Sequence, residues 1–177
     1  MKIAINGFGR IGRLVYRLMK EDDFFDVVAI NDLSSSEEMA YLLRYDTNHR
    51  TYDKDITFDE EDIIVDGKKT RVYSEMDPSN LPWGELGIDL VFECTGKFTK
   101  KEDANKHILA GAKKVLISAP GKGDMKTIVY NVNDDILTSD DIIVSAASCT
   151  TNCLAPIVKV LDDNFGIARG FMTTVHA

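Results

Sequence analysis

A glycine-rich turn at the start of the chain restricts its fold more than any other feature. The apolar strand Lys2–Asn6 runs directly into the pattern GFGRIG (Gly7–Gly12), and helically spaced apolar residues follow. A second apolar strand, Phe25–Asn31, then ends at Asp32. In such a unit the glycines permit a tight turn, close approach of a pyrophosphate and close helix–strand packing. The surrounding elements therefore favour a dinucleotide site over a coincidental glycine turn.

The acid after the second strand also indicates which dinucleotide is preferred. Asp32 can accept hydrogen bonds from the adenosine ribose hydroxyls, and its charge would repel the 2′-phosphate of NADP. Leu33, the next residue, offers neither a hydrogen bond nor a positive charge. We therefore expect NAD as the cofactor.

Strand and helix signals alternate along the rest of the chain, as in a doubly wound α/β fold with a mostly parallel sheet. One segment differs, because Ile63–Tyr73 has the pattern of an antiparallel hairpin about an Asp-Gly turn. Ser36, before two glutamates, is the expected cap of the second helix. The further predicted strands are Ile88–Cys94, Lys114–Ser118, Thr127–Tyr130 and Ile142–Ala146, and the predicted helices are Arg10–Lys20, Ser36–Arg44, Lys100–Ala110 and Thr150 to about Asp163.

Cys149 is the strongest candidate for a catalytic side chain. It lies between hydroxyl residues, after an apolar strand and at the start of a predicted helix. A thiol at a helix N-terminus meets unpaired N–H groups and the positive end of the helix dipole, which favour the nucleophilic thiolate. The alternative is a buried structural cysteine. Cys153 and Cys94 fit that structural interpretation better, and we assign no role to His49 or His107.

Composition excludes several classes of function. The net charge of −8 argues against nucleic acid or an anionic membrane as a partner. No apolar run approaches the length of a membrane span, and a strand beginning at residue 2 leaves no room for a signal peptide. Acidic pairs are far apart in sequence, so we predict no metal site. The three cysteines indicate free thiols in a reducing, cytoplasmic compartment.

Five segments, found in order along the whole chain, resemble the phosphorylating, NAD-dependent glyceraldehyde-3-phosphate dehydrogenases. They are NGFGRIGR (6–13), ND (31–32), SAP (118–120), SCTTN (148–152) and TTVHA (173–177). The resemblance implies a Rossmann-type domain with Cys149 as nucleophile and His176 as its base. It also implies that Ser148 and Thr150 contact substrate or inorganic phosphate. The residues assigned to the NAD site are Gly7, Gly9, Arg10, Ile11, Gly12, Asp32, Met76, Thr95 and Ser118.

The same resemblance implies a reaction and an assembly. D-Glyceraldehyde 3-phosphate would be oxidised through a cysteine thioester, and phosphate would release 1,3-bisphosphoglycerate, as in glycolysis. The parent protein would be a homo-tetramer. Erythrose-4-phosphate dehydrogenase is one alternative, because it shares the cysteine motif, but it typically has Glu in place of Asp32. A non-catalytic NAD-binding module is the other alternative.

The position of the motifs predicts one whole domain followed by part of a second domain. Residues 1–148 form the expected NAD-binding domain, and 149–177 the start of a catalytic domain whose remainder is absent. The chain stops one residue after His176, within an apparent strand, Gly170–Val175. We therefore expect this fragment to bind NAD but to be inactive alone.

Overall fold

The computed structural model describes residues 1–176, and a single mixed sheet of eight strands forms the centre of that part of the chain. The strands are β1 (Lys2–Asn6), β2 (Asp26–Asn31), β3 (Ile56–Phe58), β4 (Asp62–Val65), β5 (Lys68–Tyr73), β6 (Leu90–Glu93), β7 (Lys114–Ile117) and β8 (Ile143–Ser145). The α-helices are α1 (Arg10–Lys20), α2 (Ser36–Arg44), α3 (Trp83–Leu86), α4 (Lys101–Leu109) and α5 (Cys149–Phe165). Short 3₁₀ turns cover Pro78–Asn80 and Asp134–Ile136.

The strand order is β3-β4-β5-β2-β1-β6-β7-β8. The pairs from β5 through β8 are parallel, whereas β3, β4 and β5 pair antiparallel. Asp66 and Gly67 connect β4 to β5 with φ angles of 50° and 76°. Positive φ at both central residues matches the right-handed twist of a hairpin. The predicted fold class, with its antiparallel insertion, is therefore confirmed.

The central residues of the parallel strands β1, β2, β6 and β7 are apolar because both faces of the sheet are covered. In β1, Ile3 and Ile5 belong to one buried cluster, and Ala4 belongs to the cluster on the other face. The first cluster includes Tyr16 from α1, and the second includes Trp83 from α3. Burial on both faces explains why these strands show continuous apolar runs instead of alternation.

Two of the predicted strands are wrong. In the segment predicted over Thr127–Tyr130, only one isolated bridge forms, between Thr127 and Ser145. Gly170–Val175 is exposed and contains no strand among the described residues. Both segments have apolar residues suited to a strand, but a strand also requires a neighbour that accepts and donates its backbone hydrogen bonds.

The predicted cap of α2 is displaced by one residue. Ser35, not Ser36, accepts a hydrogen bond from the N–H of Glu38 at 3.2 Å, and the Glu38 carboxylate accepts one from the Ser35 N–H. This reciprocal pair is a capping box. Ser36 is buried instead, and its hydroxyl donates to the Asp59 carbonyl at 2.6 Å.

Helix α5 differs from the other helices because none of its residues is buried. Its exposed apolar side chains include Ile157, Val160 and Phe165. This helix extends to Phe165, beyond the predicted end near Asp163. Within residues 1–176, no helix combines the length and the apolar character needed to cross a bilayer.

Candidate functional site

The candidate site lies at the edge of the sheet where the parallel strands end. Since β1, β2, β6, β7 and β8 run in one direction, the loops after their carboxyl ends share that edge. Ligands bind at this edge in open α/β sheets. The glycine turn follows β1, Asp32 follows β2, Thr95 follows β6, Ser118 follows β7, and Cys149 comes shortly after β8.

Two glycines of the turn are fixed by close packing. Gly7 has a φ of 91°, and a Cβ added there would lie 2.7 Å from the backbone nitrogen of Thr95. A Cβ on Gly12 would lie 2.1 Å from the Gly7 carbonyl oxygen. Gly9 is different, because among the described residues no atom outside Gly9 and its two chain neighbours lies within 4 Å of the position of its Cβ. The first two glycines therefore allow the turn to form, and Gly9 leaves open space above it.

The beginning of α1 is suited to an anion. Gly9 is the N-cap residue, and no side chain in the described part of the chain accepts a hydrogen bond from the first turn. Arg10 and Ile11, the first two helical residues, are exposed. The free N–H groups of such a turn and the helix dipole together favour a phosphate or pyrophosphate. The first turn of α1 therefore fits the pyrophosphate of a dinucleotide.

Asp32 is tied directly to the glycine turn. Its carboxylate accepts hydrogen bonds from the N–H of Phe8 at 2.6 Å and from the N–H of Ser34 at 3.0 Å. Burial raises the pKa of Asp32, but hydrogen bonds from these backbone groups and from Ser34 outweigh it, so the pKa is lower than usual. The carboxylate is therefore a pre-positioned acceptor at neutral pH.

An open cleft of about 290 Å³ lies between the glycine turn and the ends of β2, β5 and β6. It contains five of the predicted NAD-site residues: Gly7, Gly9, Asp32, Met76 and Thr95. The remaining lining residues are Asn6, Asn31, Leu33, Glu75, Cys94, Lys97 and Phe98.

The other predicted NAD-site residues do not line this cleft. Arg10 and Ile11 are exposed at the start of α1, and Gly12 is buried beneath the turn. Ser118 is half-buried, and its N–H donates to the Glu93 carbonyl at 3.0 Å. Cys94, expected in the core, is half-buried at the cleft; burial raises the pKa of its thiol to about 11, although a hydrogen bond with Ser118 lowers it.

Cys149 is the first residue of α5, and its side chain is exposed. The hydroxyl of Ser148 caps the helix by accepting a hydrogen bond from the N–H of Thr151 at 3.0 Å. Asn152 donates to the Ala146 carbonyl at 2.7 Å and so ties the helix to the end of β8. Ala147 has a φ of 62°, an uncommon conformation for alanine. A sharp, braced turn therefore presents the thiol at the edge of the sheet.

The two predicted catalytic residues, Cys149 and His176, have different surroundings in the structure. His176 is exposed, and its Nε2 lies 2.8 Å from the Thr174 hydroxyl. Within residues 1–176, no hydrogen bond connects the side chains of Cys149 and His176. Thr150 lies half-buried beside Cys149 in the first turn of α5.

Sequence reasoning missed the buried polar residues beside the cleft. His107, to which no role was assigned, is fully buried and hydrogen-bonds to Glu93 at 3.0 Å. Glu93 ends β6, and Asn6 and Asn31 end β1 and β2, so these three polar residues each terminate a parallel strand, whereas His107 lies in α4. A polar residue at the carboxyl end of an apolar strand was therefore the sequence feature that could have indicated them.

Two family models match the chain. Residues 1–101 match "Glyceraldehyde 3-phosphate dehydrogenase, NAD binding domain", and residues 148–177 match "Glyceraldehyde 3-phosphate dehydrogenase, C-terminal domain". The first match covers the glycine turn, Asp32 and Thr95. The prediction of NAD as the cofactor of this domain is therefore confirmed.

Several curated relatives are similar over the whole chain. Glyceraldehyde-3-phosphate dehydrogenases of Clostridium pasteurianum and Chlamydia pneumoniae are each 56% identical, over 99% and 100% of this chain. Glyceraldehyde-3-phosphate dehydrogenase 2 of Bacillus subtilis is 55% identical over 100% of it. The chain spans about half the length of these relatives, from 52% to 53%. The resemblance is thus confirmed, and this chain belongs to the glyceraldehyde-3-phosphate dehydrogenase family.

Proposed function

We propose that this chain supplies the nucleotide-binding half, and the catalytic cysteine, of a phosphorylating glyceraldehyde-3-phosphate dehydrogenase. Residues 1–148 are the NAD-binding domain, and 149–177 begin the catalytic domain. The whole protein oxidises D-glyceraldehyde 3-phosphate to 1,3-bisphosphoglycerate in glycolysis. It works in the cytoplasm as a homo-tetramer, as the family resemblance implies.

One observation carries this proposal: the glycine turn and the Cys149 turn lie at the same edge of the parallel part of one sheet. A dinucleotide whose pyrophosphate rests on α1 extends along that edge. The thiol of Cys149, exposed at the start of α5, is then available to a substrate bound beside the cofactor. The cleft residues, together with Arg10, Ile11, Gly12 and Ser118, form the proposed cofactor site.

The chemistry assigned to Cys149 is covalent. Its thiolate adds to the aldehyde carbon, and the oxyanion of the resulting hemithioacetal accepts a hydrogen bond from the Cys149 N–H. Protonation of this oxyanion gives the hemithioacetal hydroxyl, and His176 removes that proton as the carbonyl re-forms and the hydride leaves. NAD, when held in the cleft, would supply the hydride acceptor. Inorganic phosphate then attacks the thioester carbonyl and releases the Cys149 thiolate, and Ser148 and Thr150 help to hold that phosphate.

A second function, an NAD-binding module without turnover, is supported for the isolated chain by two observations. Within residues 1–176 no hydrogen bond connects the side chains of Cys149 and His176, and α5 buries none of its residues. We therefore propose that the isolated chain binds NAD but does not turn over substrate. The family resemblance favours glyceraldehyde 3-phosphate over erythrose 4-phosphate as the substrate of the whole protein, because erythrose-4-phosphate dehydrogenase typically has Glu in place of Asp32.

Titration of the chain with NAD and then NADP by calorimetry tests the cofactor site. Saturable NAD binding with much weaker NADP binding is expected, and Asp32→Asn should reduce the difference. Absence of binding to either nucleotide would contradict the proposal for this chain.

The catalytic assignment needs a separate measurement. In the full-length protein that contains this segment, Cys149→Ser should abolish NADH formation without changing NAD affinity. Cys153→Ser, four residues later in the same helix, is the matched control and should retain turnover. Turnover by Cys149→Ser, or robust NADH formation by the isolated chain, would contradict the corresponding part of the proposal.

A further inference from the structure

Glu93 is a buried carboxylate that the proposed chemistry does not use. Its side chain is fully buried, as is that of His107. One carboxylate oxygen accepts hydrogen bonds from Asn6 Nδ2 at 2.6 Å and from His107 Nε2 at 3.0 Å. The other accepts from the N–H of Thr95 at 2.8 Å and also from the Thr95 hydroxyl. Four donors thus converge on one carboxylate.

The tautomer of His107 is fixed by Trp83. The indole Nε1 of Trp83 lies 3.0 Å from His107 Nδ1. Because an indole N–H can only donate, Nδ1 must accept, and the hydrogen of the neutral ring is on Nε2. That hydrogen points to Glu93. Trp83, His107 and Glu93 therefore form a chain of hydrogen bonds with a single direction.

A second series of hydrogen bonds reaches Glu93 through Asn6. Asn31 Nδ2 donates to Asn6 Oδ1 at 2.7 Å, and Asn6 in turn donates to Glu93. Asn31 also pairs with the backbone of Glu75, donating to its carbonyl at 2.9 Å and accepting from its N–H at 2.8 Å. The hydrogen bonds from the Glu75 N–H to Asn31, from Asn31 to Asn6 and from Asn6 to Glu93 all run toward Glu93. Hydrogen bonds aligned in this way polarise one another.

The partners of this network are walls of the cleft. Asn6, Asn31, Glu75 and Thr95 all line it. Thr95 also packs on the glycine turn, since its backbone nitrogen would lie 2.7 Å from a Cβ on Gly7. A buried charge is costly for stability compared with apolar packing. In return, the Glu93 carboxylate fixes the positions of two parts of the cleft wall, the Thr95 turn and the Glu75 segment.

We propose that Glu93 is a positioning residue for the dinucleotide. It holds the Thr95 turn directly and holds the Glu75 segment through Asn6 and Asn31, with His107 and Trp83 fixing its own orientation. This inference rests on the proposed function of the cleft as the NAD site. Glu93→Gln is the informative change, because either orientation of the new amide places its NH₂ against existing N–H donors.

The experiment compares the NAD affinity of the unaltered chain with that of Glu93→Gln by calorimetry. Because Glu93→Gln leaves a buried donor without an acceptor, the cleft walls lose their fixed position, and we expect the Kd for NAD to rise about tenfold or more. Thr70→Val is the matched control, because Thr70 is fully buried and its hydroxyl donates to the Val27 carbonyl, away from the cleft lining. Its Kd should stay within about twofold of the original.

Hydrogen exchange of backbone amides, without nucleotide, separates positioning from binding. Glu93→Gln should speed exchange at Thr95 and Glu75, whereas Thr70→Val should leave both amides protected. If Glu93→Gln does not fold, His107→Phe removes one of the four donors and should give the same pattern more weakly.

Each outcome decides one of the two proposals. Unchanged NAD affinity in Glu93→Gln, or exchange at Thr95 and Glu75 equal to that of the control, would overturn the positioning role. If no variant binds NAD but Glu93→Gln alone speeds exchange at these amides, the part of the proposal in which Glu93 fixes the Thr95 and Glu75 segments stands. In that case the proposed NAD function of the isolated chain is wrong.

Discussion

Replacing Gly12 with alanine tests whether the glycine turn depends on backbone contact. The new Cβ would lie 2.1 Å from the Gly7 carbonyl oxygen, 3.1 Å from the Gly7 carbonyl carbon and 3.2 Å from the Ile5 Cγ2. Real Cβ contacts essentially never fall below 3.0 Å. The turn and α1 must therefore separate by about an ångström, and no side-chain rotation can relieve the contact with the carbonyl oxygen.

Two opposing terms set the size of the effect. Alanine is favoured over glycine inside a helix by about 1 kcal/mol. Overpacking of a rigid site costs about 1–3 kcal/mol, and occasionally more. Since the contact at Gly12 is with backbone, we expect the upper end of that range. The net result should be a loss of about 2 kcal/mol or more in the free energy of unfolding, together with weaker NAD binding.

Urea unfolding followed by far-ultraviolet circular dichroism measures this loss, and Gly9→Ala is the matched control. Gly9 has a φ of −68°, which alanine adopts without strain. Its Cβ would meet no atom within 4 Å in residues 1–176 other than those of its chain neighbours. Gly9→Ala should therefore stay within about 1 kcal/mol of the original stability. It should still weaken NAD binding, because Gly9 lines the cleft.

The comparison can refute the reasoning. If Gly12→Ala is as stable as Gly9→Ala, the turn and α1 can separate at no cost, and close packing is not the reason for a glycine there. If Gly9→Ala binds NAD as tightly as the original chain, the open space above Gly9 is not where the pyrophosphate lies.

Two further predictions concern ionisable groups. The pKa of Asp32 is lower in the folded chain than in the unfolded chain, so its carboxylate stabilises the fold above about pH 4. The stability difference between the original chain and Asp32→Asn should shrink as the pH falls through the folded pKa; a constant difference from pH 7 to pH 3 would contradict this. At pH 8, a thiol reagent should modify the exposed Cys149 and Cys153 quickly, and Cys94 only on unfolding, because burial raises the pKa of Cys94 to about 11. Cys149→Ser should remove one fast thiol, and three fast thiols in the native chain would show that Cys94 is accessible.

Much of the fold was predictable because its determinants are local. The glycine turn, the Asp-Gly hairpin and the apolar parallel strands depend on φ preferences and on burial of both sheet faces. Asp32 could be assigned for the same reason, since it follows a strand next to the turn. The short strand Ile56–Phe58 and the helix Trp83–Leu86 were missed because neither has a pattern long enough to show a period.

The sequence by itself determined the parallel α/β fold, the NAD-type glycine turn and the position of Cys149 at the start of a helix. These features follow from glycine spacing, continuous apolar runs and capping hydroxyls, each contained within a few neighbouring residues. Only the tertiary structure decided that Thr127–Tyr130 is not a strand and that His107 meets Glu93. Hydrogen-bond partners across a sheet come from distant parts of the chain. The spacing of residues along the sequence therefore does not predict which donor will face which acceptor.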